Sequence, residues 1–225
     1  MRVSAPVAFD RRHIAPLLST LLKKNPGLKL DFSLNDRFVD PVGEKLDLCI
    51  RLGILPDSSL ICSKLAGLLR VLCASPEYLL KHGLPRTPEE LERHICLQHN
   101  GCSNASLSWQ FSSADSTRRI RISPVSRLSV NSAELLVEGA LQGLGIIHAP
   151  TWLVHEEVVS GRLVTFLERH ALPEQAQGGH LRRPQGSVVP AKISLFLSEL
   201  KSAIGETLYW DLRFQQTPAR LAGSF

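Results

Sequence analysis

The pattern of apolar and polar positions at the start of the chain predicts alternating strands and helices. Residues 2–7 form an apolar run of strand length. The next stretch carries apolar residues at helical spacing, namely Ile14, Leu17, Leu18, Leu21 and Leu22. Asn25-Pro26-Gly27 ends this helix, because proline cannot continue it and glycine accepts a left-handed cap. The strand LKLDFSL, a shorter helical stretch and the strand LDLCIRLG follow, which is typical of a parallel sheet with crossover helices.

The rest of the chain repeats this alternation and adds helix-start signals. Ser75 and Thr87 each precede a proline and acidic residues, which predicts two capped helices, and Glu90 completes a capping box with Thr87. Asn131 and Ser132 precede the helical AELLVEGALQG, and the helix PTWLVHEEVVSG follows the strand GLGIIHAP. AKISLFLSELKSAIG is predicted to be the last helix.

These elements predict an α/β fold with two Rossmann-like subdomains joined by two crossover segments. Subdomain I is expected to comprise residues 1–73 and 180–205, subdomain II residues 74–179, and residues 206–225 a C-terminal tail. Two lobes joined by two crossovers form a cleft that can close on a ligand. The fold therefore predicts a ligand-binding protein.

Composition excludes several classes of protein. The chain has 225 residues, 44% of them hydrophobic, which is enough to form a core, and its net charge of +5 does not by itself indicate nucleic-acid binding. No apolar run reaches the roughly 20 residues of a membrane span, and the first residues lack the apolar core of a signal peptide. We therefore expect a cytoplasmic protein with no membrane partner.

The residues that carry catalysis or bind metals do not occur in recognisable patterns. The sequence has no GxSxG, P-loop or HExxH motif, and no histidine has a partner at metal-ligand spacing. No CxxC pair occurs among the five cysteines, Cys49, Cys62, Cys73, Cys96 and Cys102. We expect reduced thiols, no cofactor, no metal and no enzyme activity. The basic group near residues 118–127 suggests either a nucleic-acid patch or charges alternating on exposed strands, and we favour the second.

Four long phrases of the sequence resemble the effector-binding domain of LysR-type transcriptional regulators. They are RVSAPVAFDRRHIAPLL, LDLCIRLGILPDSSLICSKLA, RVLCASPEYLLKHGLPRTPEEL and GLGIIHAPTWLVHEEVVSGRLV. The resemblance is close over residues 1–170 and looser over 190–205. It implies two subdomains of periplasmic-binding-protein type II architecture with a small inducer between them.

The resemblance also implies partners. The family binds DNA through an N-terminal winged helix-turn-helix, so DNA is expected as a partner only through that domain, which is absent from this chain. Met1 falls at the start of the first effector-domain strand, and we expect it to lie inside a longer protein. The family pairs side by side, which implies a homo-oligomer or pairing with related regulators.

Two departures from the family pattern affect the expected structure. Pro41 and Gly43 interrupt the second helix, which is therefore expected to be short or to start late with Asp40 as its cap. The return crossover reads QAQGGHLRRPQG, and its adjacent glycines predict a weak strand.

The candidate effector site follows from the ends of the predicted strands, where open α/β sheets bind ligands. The residues assigned to it are Ser4, Ala5, Pro6, Val7, Phe9, Asn35, Arg51, Gly53, Asn131, Ser132, His148 and Pro150. The first turn precedes a helix N-terminus, which suits a carboxylate. Arg51 is expected either to hold that carboxylate or to pair with Asp47 or Asp57.

Structural interpretations of the same residues remain open at this point. Asn35, Asn131 and Ser132 are also suited to helix capping, and His148 is more typical of a packed, hydrogen-bonded ring than of a ligand contact. If His148 lines the cleft, binding is expected to depend on pH between about 5 and 8.

Two functional hypotheses follow. The first is an inducer-sensing domain of a LysR-type regulator that binds a small anionic metabolite, expected to be a carboxylate, to control transcription. The second is a truncated orphan interaction module that pairs with full-length regulators without binding DNA itself.

Overall fold

The computed structural model describes residues 1–37, 39–53, 61–100, 108–113, 115, 117–172, 178–183 and 189–215. The strands are β1 (Arg2–Ala5), β2 (Asp31–Leu34), β3 (Leu48–Gly53), β4 (Ile61–Gly67), β5 (Arg70–Ala74), β6 (Cys96–His99), β7 (Trp109–Ser112), β8 (Arg119–Ile122), β9 (Ser126–Val130), β10 (Ile146–Pro150), β11 (Val164–Phe166) and β12 (Gly178–Arg183). The α-helices are α1 (Val7–Phe9), α2 (Ala15–Lys24), α3 (Pro76–His82), α4 (Ala133–Leu141), α5 (Thr151–Val159), α6 (Ala191–Ile204) and α7 (Leu212–Gln215). A π-helical turn, Asp10–Ile14, joins α1 to α2, and 3-10 helices occupy Pro88–Arg93 and Glu168–His170.

Two five-stranded mixed sheets form the two lobes, which confirms the predicted fold class. The first sheet has the order β2-β1-β3-β12-β4, with β1 parallel to β2 and β3, and β12 antiparallel to β3 and β4. The second has the order β11-β5-β10-β6-β9, with β6 parallel to β9 and β10. A hairpin of β7 and β8 forms a third, small sheet.

The chain passes between the lobes at two places. β4 pairs in the first sheet and β5 in the second, so the first crossing lies at residues 68–69. The boundary expected from the sequence, after residue 73, lies at the other end of β5. The return strand β12 occupies the first sheet from residue 178, between β3 and β4. The glycine pair therefore starts a strand with neighbours on both sides.

The helix caps agree only partly with the sequence. Ser75 Oγ accepts the N–H of Tyr78, and Ser132 Oγ accepts the N–H of Leu135, as expected for N-caps. The capping box at Thr87 is wrong. Glu90 instead accepts the backbone N–H of Arg86, because the segment winds as a 3-10 helix.

The segment between β2 and β3 is a turn where the family pattern implies a helix. Residues 41–45 are turn residues, with Asp40 Oδ1 accepting the N–H of Val42 and Asp40 O accepting the N–H of Glu44. A Cβ at Gly43 would lie 2.8 Å from Asp40 Oδ2. The carboxylate that was expected to cap a helix therefore stabilises a compact turn.

Trp210 and Asp211 pack into the core, although residues 206–225 were expected to form a tail. Trp210 is 1% exposed, and Asp211 is 5% exposed. The Trp210 ring lies 4.6 Å from the His13 ring and 6.3 Å from Phe9, centroid to centroid. Trp152 of α5 also packs against Phe9, at 5.4 Å. These contacts form a junction between the first helix of lobe I and α5 of lobe II.

Ion pairs reinforce this junction. The guanidinium of Arg12 donates to both carboxylate oxygens of Glu134, at 3.1 and 3.0 Å, and reaches Glu157 at 3.4 Å. Arg12 belongs to lobe I, whereas Glu134 and Glu157 belong to α4 and α5 of lobe II. Bidentate pairing of this kind holds two planar groups in a fixed orientation. Arg12 therefore connects the two lobes through its ion pairs.

Acid is expected to destabilise the protein through His13. Burial lowers the pKa of His13 from 6.5 to about 4, so the unfolded chain takes up a proton below about pH 6.5 and the folded chain does not. The free energy of unfolding should be unaffected above pH 6.5 and should fall by roughly 3 kcal/mol on acidification to pH 4. Tm should therefore fall more steeply with pH in the wild type than in His13→Gln. His82→Gln, at an exposed histidine, should follow the wild type, and parallel profiles for all three proteins would contradict the expectation.

Candidate functional site

A cavity of about 550 Å³ lies between the lobes at the carboxyl ends of their strands. Its lining residues are Val7, Leu34, Asn35, Asp36, Arg37, Asn100, Ser129, Val130, Asn131 and Leu135. Val7 and residues 34–37 lie at the ends of β1 and β2 in lobe I. The remaining residues lie at the ends of β6 and β9 or in α4 of lobe II. This volume falls within the range of small-molecule sites, about 300–1,000 Å³.

Backbone and side-chain hydrogen bonds hold the lobe I side of the cavity. The N–H of Val7 donates to Asp36 Oδ1 at 3.2 Å, and the N–H of Asn35 donates to the carbonyl of Ala5 at 3.0 Å. Asn35 Oδ1 accepts the N–H of Arg37 at 2.8 Å. The backbone amide of Val7, which the sequence offers to an effector, therefore already faces the carboxylate of Asp36.

The lobe II side has a similar construction. The N–H of Asn100, after β6, donates to the carbonyl of Val130 at the end of β9, at 2.8 Å. Ser132 caps α4, so the Asn131 side chain is the polar group of this turn that stays exposed at the cavity. Leu34 and Leu135 contribute exposed apolar surface from opposite lobes.

A partly buried cation, Arg70, lies at the same edge of the lobe II sheet as this cavity. Arg70 begins β5 opposite Pro150 of β10, and its guanidinium donates to the carbonyl of His148 at 2.5 Å. Burial lowers the pKa of Arg70 to about 10. Within the described part of the chain, no carboxylate forms an ion pair with this guanidinium.

Two histidines flank Arg70. Burial, and then the charge of Arg70, lower the pKa of His148 well below its usual range, and its ring packs 5.5 Å from both Trp109 and Phe111. Burial lowers the pKa of His99 most, Asp36 opposes that shift, and Arg70 adds to it. Because His99 responds both to Asp36, which lines the cavity, and to Arg70, the guanidinium belongs to the same electrostatic environment as the cleft.

The structure brings some of the sequence-predicted residues to the cavity and buries others. Val7, Asn35 and Asn131 line it. Ser4, Ala5, Pro6 and Phe9 are buried beneath the first turn, Gly53 ends β3 with φ of 100°, and Pro150 ends β10. The His148 ring packs against Trp109 and Phe111, and its backbone carbonyl accepts from Arg70. Burial lowers the pKa of His148, which favours a neutral ring, and pH-sensitive binding through His148 stays a prediction.

Arg51 is buried beneath the turns and does not line the cavity. It is 5% exposed, and its guanidinium donates to Ser4 Oγ at 2.8 Å and to the carbonyl of Ile50. Asp47, one of the two expected partners, instead pairs with Lys192 at 3.0 Å. Asp57 lies outside the described residues. Arg51 can support the effector turn through Ser4, and direct effector binding by Arg51 stays a prediction.

Sequence reasoning missed the residues that give the cavity its charge. Asp36, Arg70, His99 and Asn100 were not among the residues assigned to the site. The strand-end rule that selected Asn35 and Asn131 would also have found His99 and Asn100 after β6. Arg70 starts an antiparallel strand, so it reaches the same edge of the sheet from the opposite direction.

The described residues show little other chemistry. They contain no cluster of side chains that could hold a metal ion. None of their helices is long and apolar enough to cross a membrane. Cys49, Cys73 and Cys96 are buried, and burial raises the pKa of the Cys73 and Cys96 thiols, whereas Cys62 is exposed. Cys102 lies outside the described residues.

Comparisons with known proteins agree with this geometry. The family model described as LysR substrate binding domain matches residues 1–204. The HTH-type transcriptional activator TtdR of Escherichia coli K12 is 34% identical over 181 residues, which are 80% of this chain and 56% of TtdR. The HTH-type transcriptional regulator DmlR of Escherichia coli K12 is 32% identical over 206 residues, 92% of this chain and 66% of DmlR. The chain thus spans little more than half the length of TtdR.

Solved structures show the same fold. The regulatory domain of CrgA, a LysR-type transcriptional regulator from Neisseria meningitidis, has a TM-score of 0.78 and 26% identity, and the match covers 91% of this chain and 98% of that domain. Full-length AphB, the Vibrio cholerae virulence activator, has a TM-score of 0.75 and 25% identity, with 90% of this chain and 67% of AphB covered.

Proposed function

The chain belongs to the LysR substrate-binding domain family, and from that premise we propose that it senses a small carboxylate in the inter-lobe cleft to control transcription. The relatives are transcriptional regulators, so we include in the proposal a regulatory, non-enzymatic and cytoplasmic role. DNA contact would come through a helix-turn-helix domain of the kind that the names of these relatives carry.

The guanidinium of Arg70, which has no carboxylate partner among the described residues, is the observation that carries the proposal of an anion. A buried charge is costly unless an opposite charge and hydrogen bonds compensate it. Arg70 has one carbonyl partner, at His148, and no carboxylate partner among the described residues. A bound carboxylate would supply the missing charge, since guanidinium and carboxylate can form two parallel hydrogen bonds.

A negative charge on the lobe I side of the cleft limits how an anion can be oriented there. Asp36 lines the cavity and already accepts the N–H of Val7. A second anionic group pointing at this turn would meet like charge. The effector would therefore place its carboxylate toward lobe II, with Asn35 and Asn131 available for neutral hydrogen bonds across the lobes.

Such a ligand can change the relative angle of the lobes only through a difference in affinity for two arrangements. Contacts to both lobes supply that difference, because they form together only when the lobes are close. In an intact regulator the shifted angle would reach DNA-bound partners. Pairing with a second copy or a related regulator is part of this proposal.

A thermal-shift screen tests the proposal. Small mono- and dicarboxylates should raise Tm in a saturable way, since a ligand at about 100 times its Kd stabilises by about 2.7 kcal/mol. Methyl esters and amides of the same compounds serve as matched neutral controls and should have no effect. Equal stabilisation by acid and ester, or none by any acid in the panel, would contradict the proposal of an anionic effector.

A further inference from the structure

We propose that Thr151 and Asp211 are positioning residues for the cleft. Through these two residues the segment 209–211 holds the crossover peptide that carries Arg70. This inference rests on the proposed function for its effect on ligand affinity. Its structural part, the restraint of the crossover, does not depend on any ligand. A chain of contacts leads from residues 209–211 to the cleft.

The first step concerns residues 209–211, which we call the C-terminal anchor and which pack into the core. Trp210 is buried against Phe9 and His13 of lobe I. The hydroxyl of Tyr209 lies 2.5 Å from His13 Nδ1, and His13 Nε2 lies 3.1 Å from the carbonyl of Trp152 in lobe II. The anchor is therefore held by Phe9 and His13 of lobe I, and His13 in turn contacts lobe II.

The second step joins the anchor to the start of α5. Thr151 Oγ1 donates to Asp211 Oδ1 at 2.5 Å, and both residues are buried. Asp211 is itself fixed by its own N–H, which donates to the carbonyl of Leu208 at 2.8 Å. A buried hydroxyl–carboxylate bond of this kind is charge-assisted and stronger than a neutral one.

The third step joins Thr151 to the crossover. The backbone N–H of Thr151 donates to the carbonyl of Leu69 at 2.9 Å, with Thr151 Oγ1 also within 3.3 Å. Leu69 lies in the two-residue connection between β4 and β5, immediately before Arg70. The peptide that carries the buried guanidinium is thus fixed by a residue that Asp211 holds.

The contact between Thr151 and Leu69 acts on the angle between the lobes. Residues 68–69 are one of the two places where the lobes are covalently joined, so a rotation of the lobes must change the backbone there. A contact at this point restrains the lobe angle as well as the direction of Arg70. Ligand affinity depends on the fraction of molecules in the competent arrangement, so loosening the contact should weaken binding while leaving every cleft side chain in place.

Thr151→Val tests the inference, because valine keeps the β-branched shape and removes the hydroxyl donor. In hydrogen–deuterium exchange at pH 7 without ligand, we expect the amides of residues 69–72 to exchange about tenfold faster than in the wild type. Thr151→Ser keeps the hydroxyl and should restore wild-type exchange. Asp211→Ala removes the acceptor from the other side and should behave as Thr151→Val does, so the test stands if one of the two variants fails to fold.

Two controls separate positioning from a general loss of stability. Ile193→Ala truncates a buried side chain of α6, outside the core clusters that contain Val71 and Leu72, and it should lower Tm without faster exchange at 69–72. Thr165→Val removes an exposed side-chain hydrogen bond from β11 to Glu168. It should change neither Tm nor the exchange of residues 69–72. Wild-type exchange at 69–72 in both Thr151→Val and Asp211→Ala would overturn the inference.

Affinity gives the second readout, with succinate as the probe. Thr151→Val and Asp211→Ala should bind it about three- to tenfold more weakly, as expected for the loss of one hydrogen bond, and Thr151→Ser within about twofold of the wild type. If succinate binds no form of the protein, the exchange data still decide whether the crossover is restrained, and the anion proposal alone is weakened. Unchanged affinity with faster exchange would overturn the link between the crossover and the cleft.

Discussion

Arg70→Met is expected to raise Tm while it removes the response to small carboxylates. Methionine has a similar length and no charge, so the variant no longer buries a guanidinium whose described partner is one carbonyl oxygen. Each kcal/mol gained corresponds to about 2–4 °C in a domain of this size. The carboxylate of the effector would lose a charge-assisted bidentate contact, for which we expect a loss of affinity of at least about tenfold. A gain in stability with a loss of binding is typical of a functional site that holds a costly group.

Arg119→Met is the matched control for this experiment. Arg119 lies in β8 of the same lobe and is exposed, so its replacement should change neither Tm nor carboxylate binding by much. Both measurements come from one thermal-shift titration of the three proteins. A fall in Tm for Arg70→Met would show that the guanidinium is compensated in the folded protein, and retained binding would exclude Arg70 as the anion contact.

The sequence predicted the lobes well because apolar periodicity and helix caps are local signals. The first three strands, the helix between the first two of them, and the caps at Ser75 and Ser132 appear in the structure as expected. The turn at residues 40–46 was harder, because Asp40 can cap a helix or close a turn with the same carboxylate. Gly43, whose missing Cβ makes room for that carboxylate, was the signal in favour of the turn.

The sequence could predict a site residue only where that residue directly follows a strand of the parallel alternation. Val7, Asn35 and Asn131 follow strands of the parallel alternation and line the cavity. Arg70 could not be found in this way, since its position depends on β5 running antiparallel to β10. The role of Arg12 depended on which lobe II carboxylates lie opposite it, and periodicity holds no information about contacts between residues more than 100 positions apart.

The C-terminal anchor shows the same limit most clearly. The segment after α6 is short, mixed in polarity and without periodicity, which is why a tail was expected. Its burial comes from three particular side chains that meet groups from both lobes: Tyr209 with His13, Trp210 with Phe9, and Asp211 with Thr151. A large aromatic residue in such a segment is a sequence signal for packing, because its apolar area favours burial.

Trp210→Ala should be among the most destabilising single substitutions in the protein. The side chain is 1% exposed and packs against the Phe9 and His13 rings of lobe I, so alanine leaves a cavity beside the rings that contact Trp152 of lobe II. Truncation of a buried tryptophan costs about 3–5 kcal/mol, which corresponds to a fall in Tm of roughly 6–20 °C. Differential scanning calorimetry of the full chain measures the change directly.

Leu212→Ala provides the control within the same segment. Leu212 is 45% exposed, so its truncation should change the free energy of unfolding by no more than about 0.5 kcal/mol. A true tail would give the same small effect at both positions, and that result would contradict the packed junction. If Trp210→Ala instead lowers Tm strongly while Leu212→Ala does not, the segment after α6 is part of the two-lobe core. Residues outside the family match at 1–204 then contribute to the junction of the lobes, because Trp210 packs against Phe9 and His13, whose rings contact Trp152 of lobe II.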